Sequence, residues 1–237
     1  MNLRKTSNSR GICPYRSSNH SSHLFIKFLK RVSKTIFLYR HGETDLNRQR
    51  IVQGSGVDAG LNERGRKQAQ AFFEHYRGEG FQVVLTSALR RTHETVAPFI
   101  EQGLHWEQLP DLNEVCWGAH EGKKSTPEMV MEYKDVLTRW SAGDLRAALR
   151  DGETGAEMTS RLTRFSEWLK ARPEQKLLIC SHGRAMRCLL CILKGEPPSC
   201  MEQYNHHNTA LYQIRFSENR FDFELENDLS HLEGRAI

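Results

Sequence analysis

The chain of 237 residues predicts an α/β fold around a largely parallel sheet, and three observations carry that expectation. Short apolar runs of strand length alternate with longer stretches of helical periodicity from residue 35 onward, the order that β-α-β units leave in a sequence. Three of those runs stop at a polar residue with a helical pattern behind it: Tyr39-Arg40-His41-Gly42, Leu85-Thr86-Ser87 and Cys180-Ser181-His182-Gly183. No internal repeat or low-complexity tract interrupts the alternation.

Taken in order, residues 35–39 are β-branched and aromatic, the pattern of a strand buried on both faces. A Gly-containing loop, 53–60, precedes Leu61-Asn62-Glu63, which open a helix continued by Ala69, Phe72, Phe73 and Tyr76 and ended by Gly78 and Gly80. Residues 81–85 form a second buried strand, and Thr86-Ser87 are expected to cap a helix running to about Ile100. Residues 109–114 lead into an irregular segment ending near Gly122. Helical patterns cover about 127–140 and 154–171, and 176–180 is a third strand with an apolar helix behind it to Leu193. Runs 210–216 and 221–225 flank Ser217-Glu218-Asn219, which predicts a hairpin.

With 38% hydrophobic residues the chain can bury one core, and no apolar run reaches the ~20 residues of a membrane-spanning helix. Six dispersed cysteines, most of them within apolar runs, do not read as a disulfide scaffold, so a cytoplasmic setting is expected. Charge is uneven: residues 1–34 hold eight Lys or Arg and no Asp or Glu, so a total of +5 leaves −3 for the rest. That basic leader is read as an N-terminal extension outside the domain, disordered by composition, and the domain as 35–237. An organelle presequence or a basic arm for an acidic surface are its functional alternatives.

In an open parallel sheet the strands end on one edge, where helix amino termini present unpaired N–H groups and partial positive charge, so that edge suits an anion. Arg40, His41, Arg90 or Arg91, and His182, distant in sequence, could converge there. Arginine offers bidentate donation to phosphoryl oxygens and stays charged. A neutral imidazole among cations is a competent nucleophile toward phosphorus, because neighbouring positive charge disfavours its protonation. A leaving alcohol needs a proton, for which Glu43, Glu114 and Glu121 are candidates.

At these residues the chain resembles the histidine phosphatase superfamily, the phosphoglycerate mutase-like group. The blocks "LYRHGETDLNRQRIVQG", "LTSALRRTHET", "LNEVCWGAHEGK" and "ICSHGRAMRCLL" occur in that order, and the likeness covers 35–237. It implies a three-layer α/β/α sandwich with a mostly parallel sheet. It implies that His41, in the RHG triplet, is the nucleophile forming a phosphohistidine and that Arg40 holds the phosphate. Arg91 rather than Arg90 matches the S-x-L-x-R position after Ser87 and would be the second phosphate arginine. His182 would donate to the phosphoryl oxygens, and Glu114 would be the proton donor and later the base. Asn47, Gln53, Gly54, Ser181, Gly183 and Asn208 are expected around the phosphate or the substrate. The mechanism implied needs no metal or other cofactor.

Simpler roles compete for several of these side chains. Glu43 reads as a capping carboxylate, Arg90 as a solvated or rim residue, and Glu121 as a loop-ordering group. His206 and His207 are adjacent in an extended segment and so face opposite ways, which argues against a shared metal ion. Cys188-x-x-Cys191 lies in an apolar helical stretch and reads as core.

Hydrolase and mutase share this chemistry. Only 68 positions separate Glu114 from His182, and the HGETDLN and SHGRAMRCLL blocks resemble the phosphatase branch, so a phosphomonoesterase for small phosphate esters is expected. The alternatives are a cofactor-dependent phosphoglycerate mutase and, from another class, a catalytically silent phospho-ligand-binding protein. Specificity is expected in the lid, 123–152, where Lys123, Lys124, Tyr133, Lys134 and Arg139 offer charge for a second anionic group, although their default reading is as ordinary surface residues. No nucleic acid partner is expected; a homodimer is a family-level expectation.

Overall fold

The computed structural model describes residues 33–237, and most of the basic leader, 1–32, lies outside the described residues. Six strands, β1 (Lys34–Arg40), β2 (Val83–Thr86), β3 (Trp106–Gln108), β4 (Lys176–Ser181), β5 (Leu211–Ser217) and β6 (Arg220–Asp228), form one sheet in the order β3-β2-β4-β1-β5-β6. The four strands β3, β2, β4 and β1 are mutually parallel, and β5 and β6 add an antiparallel hairpin on the far side of β1. Glu218 and Asn219 take φ of 52° and 61° between β5 and β6, the left-handed pair a two-residue hairpin turn demands.

The helices are α1 (Asp45–Arg48), α2 (Glu63–Tyr76), α3 (Arg90–Glu101), α4 (Pro127–Ser141), α5 (Gly155–Ala171) and α6 (Gly183–Lys194). Because strand side chains alternate between faces, β1 serves two cores. Ile36 and Leu38 pack with Leu177, Ile179, Leu162 and Leu189 on the α5–α6 side, while Phe37 and Tyr39 pack with Leu178, Phe72, Val96 and Phe99 on the α2–α3 side. Helices on both faces of a mostly parallel sheet make the three-layer sandwich that the resemblance implies. Continuous apolar runs in 35–39 and 176–180 follow from that double burial.

Three local expectations change. Lys34, assigned to the leader, is the first residue of β1 and is buried. Its ammonium donates to the carbonyls of Leu169 (2.7 Å), Lys170 (3.2 Å) and Arg172 (2.7 Å), closing the carboxyl end of α5. Thr86-Ser87 do not cap α3: its N-cap is Leu89, without a side-chain cap, and the Ser87 hydroxyl instead accepts from Leu89 N at 3.1 Å. The edge strand β3 was not expected.

Candidate active site

Register builds the site. Tyr39 lies level with Cys180 and Arg40 with Ser181 across the parallel β1–β4 pair, so the residues that follow, His41 and His182, leave the sheet side by side. His41 N donates to Ser181 O at 3.0 Å, and the two imidazole centroids are 5.2 Å apart. Turning β1 away so sharply needs room: a Cβ on Gly42 would stand 2.7 Å from Gly65 O.

His41 Nδ1 lies 2.7 Å from Gly42 O. A carbonyl only accepts, so Nδ1 carries the proton and Nε2 keeps the lone pair. Burial, followed by the Arg91 and Arg40 cations, holds the His41 pKa well below 6.5, so the ring is neutral at physiological pH. His182 is depressed likewise, by burial and then by Arg91 and His41. Arg91 Nε donates to His182 Nδ1 at 3.0 Å, which leaves the proton on Nε2, 2.7 Å from Ser87 Oγ. Arg91 is wholly buried, and its other nitrogens donate to Val57 O (2.8 Å) and Gly54 O (3.1 Å). Burial lowers its pKa to about 10, which leaves it cationic.

Glu114 approaches from the connection after β3. Its Oε1 accepts from Val115 N (3.0 Å) and Ala185 N (2.9 Å), and its Oε2 from Arg184 N (2.9 Å). The carboxyl group thus sits on the amino terminus of α6, where exposed N–H groups and the helix dipole favour it. Arg40 reaches the same spot: the Cβ position of Gly183 lies 3.6 Å from both Arg40 Nε and Glu114 Oε2, so the two groups flank the helix start.

These groups face a cavity of about 230 Å³ lined by Arg40, His41, Asn47, Gln53, Glu114 and Gly183, among others. Buried polar atoms are nearly always hydrogen-bonded, yet Arg40 Nε, Gln53 Oε1 and both His206 ring nitrogens, all on residues lining this cavity, lack a partner of normal geometry. Four of the seven unpartnered buried side-chain atoms among the described residues thus belong to residues of this one cavity. Arg91 and His182 stand behind the wall, His182 beside the His41 ring and Arg91 bonded to His182; Gly54, which holds Arg91 through its carbonyl, is likewise not on the cavity surface.

The remaining expected positions divide. Asn47 holds α1 through a reciprocal cap with Thr44, and Asn208 Nδ2 donates to His41 O (2.9 Å) and Asn47 Oδ1 (3.3 Å). Gln53 Nε2 donates to Thr44 Oγ1 at 2.7 Å. Ser181 turns its hydroxyl away, to Leu112 O at 3.0 Å, and meets the site only through its carbonyl. Glu43 is out of the cavity, bonded to Asn62 Nδ2 (2.9 Å) and Arg64. Arg90 is exposed and paired with Glu94. Glu121 packs under the Gln53–Gly56 turn and accepts from Trp117 N at 2.6 Å, so it orders that loop.

His206 is buried in the wall and His207 is exposed, the opposed facing expected of neighbours in an extended segment. Among the described residues no group of three or more His, Cys, Asp or Glu gathers as a metal site. Of the lid residues Tyr133 lines the cavity, whereas Lys123, Lys124 and Lys134 are exposed and Arg139 pairs with Asp144 at 2.6 Å, which is the ordinary surface setting of their default reading. The cations that do reach the cavity are Arg184 and Arg187 of α6. Their spacing of three along a helix was the available signal; His206 carried none.

A family model described as the histidine phosphatase superfamily (branch 1) matches residues 36–229. A curated relative from Yersinia enterocolitica named "Probable phosphoglycerate mutase GpmB" is 30% identical over 212 residues, covering 85% of this chain and 96% of that protein. The "Uncharacterized phosphatase PhoE" of Bacillus subtilis is 31% identical over 202 residues, covering 84% and 97%. Among solved structures, an alpha-ribazole phosphatase from Shigella flexneri superposes with a TM-score of 0.72 at 25% identity, covering 82% of this chain and 96% of that one. YhfR from Bacillus stearothermophilus gives 0.72 at 25% identity, covering 84% and 100%. The ordered blocks, the sandwich, the paired imidazoles at the β1 and β4 ends and these matches together establish that the chain belongs to the histidine phosphatase superfamily.

Proposed function

We propose that the protein is a phosphomonoesterase that hydrolyses small phosphate esters, without a metal ion, through a phosphohistidine on His41. The observation that carries this reading is the state of His41: buried, neutral, with Nδ1–H donated to Gly42 O and the Nε2 lone pair left to attack. Arg40 binds the phosphoryl oxygens directly, while Arg91, its nitrogens engaged by His182, Val57 O and Gly54 O, adds positive charge from behind the wall, and the two cations offset the dianion. Nε2 attacks phosphorus, the ester P–O bond breaks, and the leaving oxygen takes a proton from Glu114. Glu114, now a carboxylate, then draws a proton from water as that water attacks phosphorus and the N–P bond breaks. Its Oε2 accepts one backbone N–H only, so a lone pair remains for this exchange. A phosphoryl oxygen that took the Nε2–H of His182 would compete with Ser87 for it.

Hydrolysis rather than transfer to a second alcohol rests on the short lid and on relatives named as phosphatases; the relative named as a mutase keeps transfer as the second reading. Free, largely buried cysteines support a reducing, cytoplasmic setting. The test is release of phosphate from p-nitrophenyl phosphate in EDTA, together with a panel of metabolite phosphates run with and without 2,3-bisphosphoglycerate. Turnover in EDTA without priming supports the hydrolase. Isomerisation that requires the bisphosphate would replace it with the mutase, and phosphate binding without turnover would replace both with a silent reader.

A further inference from the structure

The cavity is larger than a phosphoryl group requires, and its far wall is cationic. Arg184 and Arg187 lie three residues apart on α6, so both side chains stand on one face, the face that borders His41 and Arg40. Their side chains are only 7% and 18% exposed, which is unusual for two guanidinium groups with one shared carboxylate. That carboxylate is Glu202: Oε1 pairs with Arg184 Nη1 and Oε2 accepts from Arg187 Nη1 at 2.9 Å, while Glu202 itself is 42% exposed. Arg187 also donates to Asn205 Oδ1 at 2.6 Å, and Arg184 to the Tyr133 hydroxyl at 3.4 Å. The wall therefore holds two cations against one anion. His206 stands between this pair and the phosphate arginine, its carbonyl accepting from Arg40 Nη1 at 3.1 Å. Neither of its ring nitrogens completes a hydrogen bond of normal geometry, although the Gly183 backbone lies beside the ring.

We propose that Arg184 and Arg187 form a second anion subsite, so that the preferred ester carries a carboxylate on its alcohol portion, and that Glu202 occupies that subsite until the ester displaces it. This rests on the phosphomonoesterase reading above. A carboxylate, that of Glu202, already bridges both guanidinium groups, so a substrate carboxylate replaces it like for like, in charge and in its two-oxygen geometry. The cavity of about 230 Å³ falls below the ~300–1,000 Å³ that accommodates drug-sized ligands, so the acid is a short one. Trp117 and Val52, on the same cavity, supply apolar contact for its carbon chain. The exposed position of Glu202 lets it swing to solvent when a substrate carboxylate takes its place.

The experiment compares glycerate 3-phosphate with glycerol 3-phosphate, which differ only in a carboxylate against a hydroxymethyl group. Dissociation constants are measured by calorimetry on the full chain carrying His41→Ala, so that neither ester is consumed, with the subsite wild type or varied, and phosphate release is measured separately on the chain that keeps His41. The wild type is expected to bind the acid about tenfold or more tightly than the alcohol, the size of one desolvated charge-assisted contact. Arg187→Gln should collapse that ratio toward unity, Arg187→Lys should restore part of it, and Glu202→Gln should widen it by removing the internal competitor. A ratio near unity in the wild type, or one that Arg187→Gln leaves intact, overturns the subsite. A glycerol bisphosphate that binds more tightly than the acid overturns its assignment to a carboxylate. Failure of the phosphatase reading looks different: the binding ratio and its response to Arg187→Gln persist, with no phosphate released from either ester.

Discussion

Replacing Glu114 by glutamine separates its two duties, and the structure sets the size of each. The wild-type carboxylate accepts three backbone N–H groups, two at Oε1 and one at Oε2. A glutamine keeps one oxygen, which best serves Val115 N and Ala185 N, and turns its NH₂ toward Arg184 N. One buried donor at the α6 amino terminus then faces another donor, at a cost of about 1–3 kcal/mol. For a domain of this size that corresponds to a fall in Tm of roughly 2–12 °C, small enough for the folded variant to be assayed. Catalytically, loss of a general acid costs about 10²–10⁴-fold when the leaving group is a poor one. The quantity to measure is kcat/KM, which stops at the first irreversible step, phosphoryl transfer to His41, and excludes the later attack of water. For an alkyl phosphate it should fall through that range. For p-nitrophenyl phosphate, whose phenolate leaves without a proton, it should fall less than about tenfold. Because Glu114 also activates water, nitrophenyl phosphate should then show a burst of nitrophenol followed by slow turnover. Equal loss of kcat/KM on both esters would remove Glu114 from the acid role and leave it only as an anchor of α6.

Further outcomes follow from the same geometry. His41 has its pKa depressed by burial and by Arg91 and Arg40, so its neutral form persists well below pH 6.5; Arg40→Gln should raise that pKa and move the acid limb of kcat/KM upward, and an unmoved limb in a pH–rate profile would refute the charge argument. His206 (about 3) and His231 (about 4) are also held neutral, chiefly by burial. The unfolded chain binds protons the fold refuses, so stability is intact above about pH 6.5 and falls as pH drops toward 4; a Tm that stays flat from pH 7 to 5 would contradict this. Gly54→Ala would bring a Cβ to 2.3 Å from Val115 O and 2.1 Å from Glu121 Oε1. The expected loss is about 1–3 kcal/mol in thermal unfolding, and activity should fall further because Gly54 O no longer holds Arg91. Lys34→Met strands carbonyls at the end of α5 and should cost about 1–3 kcal/mol while the kcat of the folded enzyme is unchanged.

The fold was legible wherever burial acted on both faces of a strand. Residues 35–39 and 176–180 are apolar because helices cover the sheet on either side, and that produces a strand signal without alternation. The edge strand β3 shows no such run, since Trp106, Glu107 and Gln108 are partly exposed and pair only with β2. Arg91 was separable from Arg90 only through the resemblance, by its S-x-L-x-R position; the structure then turns the two neighbours to different faces of α3, one wholly buried on His182, the other exposed on Glu94. Which cations line the cavity was not legible, for a tertiary reason. The lid cations sit on the solvent side of α4 and its approach, while Arg184 and Arg187 face the cavity because the β4 register fixes the rotation of α6. Nothing local to Lys34 distinguishes it from the basic residues before it; its role depends on the end of α5, 135 residues onward.

The covalent intermediate gives the most direct test. Rapid quenching under neutral or alkaline conditions during turnover of p-nitrophenyl phosphate, followed by mass analysis of the peptides, should find one phosphoryl group, on Nε2 of His41, that is lost on acidification and never forms in His41→Ala. Turnover with that peptide unmodified at every quench time, or a phosphoryl group on another residue that persists in His41→Ala, would contradict the account.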